Sequence, residues 1–389
     1  MQTNIQTSSY HFVILATITG LISAFVSPIM TFFLVEGLQL PPFYIAIYSV
    51  VVTFATVVMS QVLGAFSDRG VSSKQMFLIA VTCWGGIGLL YSSASSFMAI
   101  MLTAILLMPF AGAAVPQALT LARFWADHNS KDVPTFNARV RAGFSVAWII
   151  GPPSAYFLVS KFGFSASFSA ATLIALLAIF YMLVFIPSVT NPDKDKTTES
   201  ATTDLSFWLL AVAICLGMMS NLIYASALPL YLTRELNLSP TIPGLLMGLV
   251  AACEIPIMLV SAKLGARFGL FRVFCSAFVF AIVFFIAMYF ANDIWHFFAL
   301  QLVNALFFGF YAGLGLTLLQ RACPNKTGFT SALYSNLMKI GVMLGTSITG
   351  FVGQFDQFKQ ANLVAAFSAV LALACLFAHA YLKRQQPPA

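Results

Sequence analysis

The chain consists of long apolar runs, each long enough to cross a lipid bilayer, joined by short polar connections. A bilayer core about 30 Å thick needs roughly 20 apolar residues in a helix, since each residue adds about 1.5 Å. A helix satisfies its own backbone hydrogen bonds, so such runs predict transmembrane helices. Twelve are predicted, at about residues 10–35, 43–66, 75–93, 97–122, 135–159, 165–187, 206–232, 242–264, 272–291, 295–320, 329–352 and 361–382.

The composition indicates the same class. Of the 389 residues, 60% are hydrophobic and 8% are charged, whereas a soluble domain carries roughly 25% charged residues. We therefore expect an all-α integral membrane protein with the lipid bilayer as a partner. The net charge of +7 comes from short connections, so nucleic-acid binding is not expected.

The longest polar segment separates two sets of six runs. This division predicts an N-terminal six-helix bundle at 1–187, a flexible cytoplasmic linker at 188–204 and a C-terminal six-helix bundle at 205–389. We expect a monomer.

The basic residues predict the orientation of the chain. With both termini in the cytoplasm, every Lys and Arg except Lys161, Arg234 and Lys359 falls on the cytoplasmic side or in the helix halves near it. Cytoplasmic loops of membrane proteins are enriched in Lys and Arg. The opposite orientation would reverse this distribution, so both termini are predicted to be cytoplasmic.

The two halves repeat at a spacing of 198 residues. Parallel repeats of six helices are typical of secondary transporters whose halves rock around a central site. The repeat therefore predicts the major facilitator fold and alternating access. The matching pairs are Arg123 with Arg321, Arg141 with Lys339, Gly143 with Gly341, and Leu-Gln-Leu at 38–40 with Leu-Asn-Leu at 236–238.

The segment RVRAGFSVAWIIGPP at 139–153 has two faces when read as a helix. Small residues four apart allow two helices to approach closely, so one face is expected to pack on a neighbouring helix. The other face, with a cation and a large aromatic ring, is expected to line a transport path. The packing ridge is Gly143, Ala147 and Gly151, with a second copy at Gly341, Gly345 and Thr349, and the path face carries Arg141, Ser145 and Trp148.

Glu254 is the only acidic residue deep inside an apolar run. A charge at the centre of a bilayer costs roughly 2.5–3.5 kcal/mol, so its carboxyl must pair with a cation or take up a proton. Arg141 and Lys339 are the two cations at comparable depth. These three residues are the predicted charge network, either for proton coupling or as a fixed ion pair that locks the helices.

Several uncharged polar residues recur at helical spacing inside apolar runs. Amides bind hydroxyl groups and an aromatic plane stacks on a sugar ring, so together with Trp148 these residues predict a sugar site. Each of them alone is equally explained by a hydrogen bond between helices. They are Gln117, which follows Pro116, a residue expected to bend its helix, and Asn221, Tyr224, Gln301, Asn304 and Asn336.

The connection between the second and third runs reads GAFSDRGVSSK at 64–74. It resembles the cytoplasmic signature of the major facilitator superfamily, although only one basic residue, Lys74, follows Gly70. The resemblance implies a cytoplasmic gate formed by Gly64, Asp68 and Arg69, to which we add Arg123. An ordinary charged loop that fixes topology is the alternative interpretation.

Three longer strings resemble the bacterial sugar efflux transporter (Set) family of the major facilitator superfamily. They are RAGFSVAWIIGPPSAY at 141–156, ACEIPIMLV at 252–260 and SNLIYASALPLYL at 220–232. The likeness covers essentially the whole chain. It implies proton-driven export of sugars such as lactose, glucose or small galactosides across the bacterial inner membrane.

Other functions remain open or are disfavoured at this point. A multidrug/proton antiporter of the same fold is the main alternative, because Gly151-Pro152 resembles an antiporter signature and Phe-rich helices suit an apolar drug. An ATP-driven pump, a membrane enzyme and a receptor are disfavoured. The sequence has no phosphate-binding loop, metal-ligand cluster, nucleophile elbow or soluble signalling domain, and no cofactor is expected.

Overall fold

The computed structural model describes residues 9–68, 72–129, 133–186, 204–355 and 357–385. Within these ranges the chain is helical, with no β-strand, and the predicted all-α class is confirmed. The helices are α1 (Tyr10–Val26, continued by Met30–Phe32 and a π-helical turn, Phe33–Gly37), α2 (Phe43–Asp68), α3 (Ser73–Ser93), α4 (Phe97–Ala111 and Ala114–Asn129), α5 (Val133–Phe162), α6 (Phe164–Phe185), α7 (Leu205–Leu230, continued by a π-helical turn, Tyr231–Glu235), α8 (Thr241–Phe268), α9 (Leu270–Phe290), α10 (Ile294–Ala322), α11 (Thr327–Gly353) and α12 (Ala361–Gln385).

Among the described residues, eleven helices are long and apolar enough to cross a membrane. The twelfth predicted span lies in α11, which is long enough but carries Asn336, Lys339 and several Ser and Thr residues that lower its hydropathy. Polar residues on a spanning helix are tolerated where they face other helices or a water-filled path. Helix α11 is therefore the spanning helix with the strongest sign of a polar environment.

Side-chain caps begin several of the helices. Ser96 accepts a hydrogen bond from the backbone N–H of Ala99 at 3.3 Å, and Asp293 accepts one from Trp295 at 2.8 Å. Such caps satisfy amides that have no partner within the helix. Asp204 caps α7 in the same way, through Phe207 at 2.9 Å. The rest of the predicted linker, 188–203, lies outside the described residues.

Helix α4 bends at a position that the sequence analysis missed. The bend was expected at Pro116, but the helix is interrupted between Ala111 and Ala114. Pro116 instead lies in the first turn of the second segment, where its missing N–H removes no helical hydrogen bond. Pro109 lies inside the first segment, ahead of the interruption.

The 198-residue repeat appears in the backbone itself. Helices α1 and α7 both end in a π-helical turn, Phe33–Gly37 and Tyr231–Glu235. Each turn is followed by a residue with a positive φ, 53° at Gln39 and 52° at Asn237. Left-handed conformations are uncommon outside glycine, so the same strained geometry at the same spacing is a structural repeat.

The helices form two compact units. Unit 1 comprises Met1–Gln39, Val51–Asp195 and Pro240–Gly248. In its described part, α1 packs against α5 and α6, while α3 packs against α4 and α6. The short third segment is the start of α8.

Unit 2 comprises Leu40–Val50, Lys196–Ser239 and Leu249–Ala389. In its described part, α7 packs against α11 and α12, and α9 packs against α10 and α12. These are the helix pairs of unit 1 shifted by six helices. The repeat predicted from the sequence therefore extends to the packing inside each unit.

Candidate transport site

The small-residue ridge of α5 packs against α1, as predicted. A methyl group added to Gly143 would lie 2.7 Å from the carbonyl oxygen of Val13, and one added to Gly20 would lie 2.8 Å from Cβ of Ala147. At Gly151 it would meet the side chain of Ala24. The close approach of the two helices therefore requires small residues along the whole ridge.

The second copy of the ridge packs α11 against α7 in the same manner. A methyl group on Gly341 would lie 2.8 Å from the carbonyl oxygen of Cys215, and one on Gly345 would lie 2.5 Å from that of Met219. The third position, Thr349, donates its hydroxyl to the carbonyl oxygen of Ile223 at 3.0 Å. The ridge prediction is confirmed for both halves.

The other face of α5 carries exposed side chains. Arg141 is exposed and Trp148 has 42% of its surface exposed. Ser145 lies between them, and its hydroxyl donates to the carbonyl oxygen of Arg141 at 3.5 Å. The guanidinium and the indole ring therefore lie outside the contact with α1, and their place on the transport path remains a prediction.

On α11, Asn336 and Lys339 are half-buried. They lie on the same helix as the ridge residues Gly341 and Gly345. Within the described part of unit 2, no acidic side chain neighbours the Lys339 ammonium. Lys339 is thus a half-buried cation on α11 with no counter-ion among the described residues of its unit.

Glu254 is half-buried on α8, one turn from the point where α8 meets α10. A methyl group on Gly309 of α10 would lie 2.6 Å from Cγ2 of Ile257 and 3.5 Å from the carbonyl oxygen of Glu254. In the described part of unit 2, no basic side chain neighbours the Glu254 carboxyl. The fixed ion pair with Lys339 is therefore not formed in this structure.

Three of the predicted polar residues form one hydrogen-bonded group, the α7–α10 polar cluster of Tyr224, Gln301 and Asn304. Gln301 Nε2 donates to Tyr224 Oη at 3.1 Å and to the carbonyl oxygen of Phe297 at 3.0 Å. Asn304 Nδ2 donates to Gln301 Oε1 at 3.2 Å. All three side chains are buried, with no more than 4% of their surface exposed.

The remaining polar candidates are not joined to this cluster. Asn221 is half-buried on α7, and Gln117 is half-buried in the second segment of α4, in unit 1. The side-chain oxygen of Gln117 is buried and has no hydrogen-bond partner among the described residues. Both remain predicted substrate contacts.

Among the buried polar residues that were not predicted, one lies beside the polar cluster. Ser220 lies one helical turn before Tyr224, is fully buried, and its hydroxyl has no partner in the described ranges. Its spacing of four residues from Tyr224 places both on the same face of α7. That spacing was the signal in the sequence that would have identified it.

The predicted cytoplasmic gate lies largely outside what the structure describes. Helix α2 ends at Asp68, but the surroundings of Gly64, the side chain of Asp68 and the whole of Arg69 lie outside what the structure describes. Arg123 is exposed on α4. The gate remains a prediction.

The chain matches the family model described as Major Facilitator Superfamily over residues 12–221 and 209–389. It is 30% identical over 373 residues to Sugar efflux transporter A of Dickeya chrysanthemi, covering 95% of each chain. It is 29% identical over 364 residues to Sugar efflux transporter A of Escherichia coli (strain K12), covering 92% of this chain and 93% of that one.

Solved structures support the same fold. A bacterial homolog of the human lysosomal transporter Spinster aligns with a TM-score of 0.81 at 14% identity, covering 98% of both chains. The nucleoside transporter NupG aligns with a TM-score of 0.77 at 17% identity, covering 95% of this chain and 98% of that one. At these identities the likeness shows the fold alone.

The family match spans both halves of the chain, and the relatives cover it almost from end to end. The matched family consists of membrane transporters rather than enzymes, which agrees with the repeated units described above. The chain belongs to the sugar efflux transporter family of the Major Facilitator Superfamily.

Proposed function

We propose that this protein exports sugars from the cytoplasm in exchange for protons, by alternating access. The observation that carries the proposal is Glu254, an acidic side chain inside a spanning helix with no basic neighbour in the described part of its unit. The named relatives support sugar as the transported class. Lactose, glucose and small galactosides are the sugars proposed.

Proton uptake is proposed to be coupled to helix movement through the free-energy cost of burying the charged Glu254 carboxylate. A carboxylate at the centre of a bilayer costs roughly 2.5–3.5 kcal/mol, and this cost disappears when the group takes up a proton. Protonation of Glu254 from the outside would therefore stabilise one arrangement of the helices, and loss of the proton to the cytoplasm the other. Arg141 and Lys339 are the proposed cations that balance the charged form.

The sugar is proposed to bind to half-buried side-chain amides and to an exposed indole ring. Trp148 offers an exposed aromatic face, while Asn221 and Asn336 offer half-buried amides. Amides donate and accept at once, as hydroxyl groups require. A site with these groups favours a sugar over the lipophilic cations expected of a multidrug antiporter.

The protein is proposed to act as a monomer in the bacterial inner membrane with both termini in the cytoplasm. The distribution of Lys and Arg supports this orientation, since described basic residues such as Arg267, Arg321 and Arg384 lie near helix ends assigned to the cytoplasmic side. The eleven apolar helices support a multi-pass membrane location.

Transport in inverted vesicles tests the function. With an acidic interior, the parent protein should accumulate a labelled sugar against its gradient, and Glu254→Gln should lose this accumulation at least tenfold. Gln cannot carry the proton, but exchange of sugar across the membrane without a pH gradient should persist. Asp293→Asn is the matched control, because this exposed acid only caps α10 and Asn caps equally well.

Two outcomes would contradict the proposal. Accumulation by Glu254→Gln equal to that of the parent would remove the proton role of Glu254. A parent that moves a panel of lipophilic cations but none of a panel of sugars would identify a multidrug antiporter instead.

A further inference from the structure

The structure determines which atoms donate and which accept in the hydrogen bonds of the α7–α10 polar cluster. The backbone carbonyl of Phe297 has no hydrogen to donate, so the Gln301 atom that lies 3.0 Å from it must be the amide nitrogen. The second hydrogen on that nitrogen points to Tyr224 Oη at 3.1 Å. The Gln301 amide therefore has one possible orientation, with Oε1 facing away from Phe297.

The orientation of the Gln301 amide also determines the orientation of the Asn304 amide. Gln301 Oε1 can only accept, so the Asn304 atom that lies 3.2 Å from it must be Nδ2. The Asn304 side-chain oxygen, Oδ1, is left on the other side. It is buried and has no hydrogen-bond partner among the described residues.

An unpaired buried acceptor is costly. Leaving one without a partner costs about 1–3 kcal/mol, and the great majority of buried polar groups are paired. Here the cost is not relieved by rotating the amide, because Gln301 fixes Asn304, and Phe297 and Tyr224 fix Gln301. Tyr224 is itself held by an edge-to-face contact with Phe284, with ring centroids 4.9 Å apart.

We propose that Asn304 Oδ1 determines specificity by accepting a hydrogen bond from one hydroxyl group of the transported sugar. Gln301 and Tyr224 are positioning residues that keep this oxygen free and oriented. The inference rests on the proposed function and deepens it, because it requires a substrate with an O–H donor. Ser220, whose buried hydroxyl has no partner in the described ranges, offers a second open group on the Tyr224 face of α7.

The oxygen is covered in this conformation. Asn304 has 3% of its surface exposed, so a sugar reaches Oδ1 only when α10 and its neighbours separate locally. Binding then replaces an unpaired acceptor by a paired one. This is differential stabilisation of the sugar-bound arrangement, the condition under which a ligand shifts a conformational equilibrium.

Sugar analogues provide the test. For a sugar that the parent transports, each hydroxyl is replaced in turn by hydrogen or by fluorine, and the ratio of maximal rate to KM is measured in vesicles. At one position, both analogues should be transported about tenfold less efficiently by the parent, because neither can donate. Asn304→Leu should transport the unmodified sugar about tenfold less well and no longer distinguish the three compounds at that position.

The positioning role has its own readout. Gln301→Leu should raise KM and abolish the discrimination although Asn304 is still present, since the Asn304 amide can then rotate. Gln301→Glu, which burial should keep protonated, can donate its O–H to the Phe297 carbonyl and accept from Asn304 Nδ2 through its other oxygen, so it should restore most of the discrimination. A residue that only stabilised the fold would lower the maximal rate and leave the ratio between analogues unchanged.

Asn362→Leu is the matched control. Asn362 is another buried asparagine of unit 2, and its Nδ2 donates to the carbonyl oxygen of Lys359 at 3.1 Å. Its Oδ1 also has no partner within the described residues, and it lines a narrow cleft with Tyr231 and Phe358 that reaches Tyr224 but neither Gln301 nor Asn304. This variant should discriminate as the parent does.

The possible results separate the inference from the proposed function. If the parent discriminates and Asn304→Leu discriminates equally, or if Asn362→Leu loses discrimination too, the inference is overturned while sugar transport stands. If the fluorine analogue is transported as well as the sugar at every position, no hydroxyl acts as a donor and the inference is again overturned. A parent that transports no sugar overturns the proposed function, and this inference with it.

Discussion

Helix α1 places Ile22 and Val26 in the interior of unit 1, both fully buried. Their counterparts 198 residues later, on α7 of unit 2, are Ser220 and Tyr224, which are equally well buried. Gln301 and Asn304 on α10 correspond to a stretch of α4, residues 103–107, which reads TAILL and has no side-chain amide. The two halves thus have the same arrangement of helices but differ in the polarity of their interiors.

The acidic position shows the same difference. Glu254 on α8 corresponds to Thr56 on α2, whose hydroxyl donates to the carbonyl oxygen of Val52 at 2.8 Å within its own helix. Thr56 is therefore satisfied locally, whereas Glu254 has no basic neighbour in the described part of its unit. Helix packing needs small residues in both halves. Among the described residues, however, buried polar atoms without a hydrogen-bond partner are more numerous in the second half.

The largest expected effect would break the part that the halves share. Gly341→Leu should lower the free energy of unfolding by about 1–3 kcal/mol, because the added side chain overlaps the α7 backbone near Cys215. Gly143→Leu should cost a similar amount through Val13. Thermal unfolding in detergent measures both.

Gly328→Ala is the control for these ridge variants. It lies on the same helix as Gly341, and a methyl group there has nothing within 4 Å among the described residues. It should leave the unfolding temperature nearly unchanged. Ala and Leu both have a higher helix propensity than Gly, so equal losses for Gly328→Ala and Gly341→Leu would mean that overlap with α7 does not set the cost.

An intermediate effect should distinguish the two interiors. Gln301→Leu removes the centre of the polar cluster and leaves Tyr224 and Asn304 without their shared partner, at a cost of about 1–2 kcal/mol. Thr103→Val changes the counterpart of Gln301 in unit 1. It should cost much less, because no hydrogen-bonded cluster of this kind is described there. Unfolding midpoints of the two variants, compared directly, check the difference.

A smaller effect concerns the ends of α1 and α7. Glu235 closes the π-helical turn of α7, and its carboxylate accepts the backbone N–H of Lys359 at 3.2 Å, just before α12 begins. Its counterpart in unit 1 is Gly37, which has no carboxyl. Glu235→Gln should cost about 0.5–1 kcal/mol, because an amide interacts less strongly with a helix N-terminus.

Salt provides the control for the Glu235 prediction. The difference in stability between the parent and Glu235→Gln should shrink as salt is raised, since charge interactions near the surface are screened. A difference that stays constant in salt would mean that the side chain acts through packing against the turn rather than through its charge.

Much of the fold was predictable because it depends on sums along the chain. Hydropathy over a span of about 20 residues decides membrane insertion, and the apolar runs predicted the helices within a few residues of their observed ends, except α4, which continues to Asn129. The ridges at Gly143 and Gly341 were predictable because a spacing of four residues marks one face of any helix. The bend of α4 was missed, since Pro116 is tolerated in a first turn.

The site was predictable only as a set of residue types. The sequence singled out Tyr224, Gln301 and Asn304 as candidate sugar contacts, and the structure joins them in one buried group. Ser220 was not among the residues predicted from the sequence. Whether an amide faces a ligand or another helix depends on neighbours that are distant in sequence, here α7 and α10, which no periodicity specifies.

The membrane class, the repeat, the packing ridges and the residues able to carry chemistry were all predictable, because they follow from residue type and local spacing. Which polar groups are paired depends instead on contacts between helices. The carbonyl of Phe297 orients Gln301, Gln301 orients Asn304, and one oxygen is left open. Hydrogen bonds are directional and link helices far apart in the chain, so their order exists only in the folded protein.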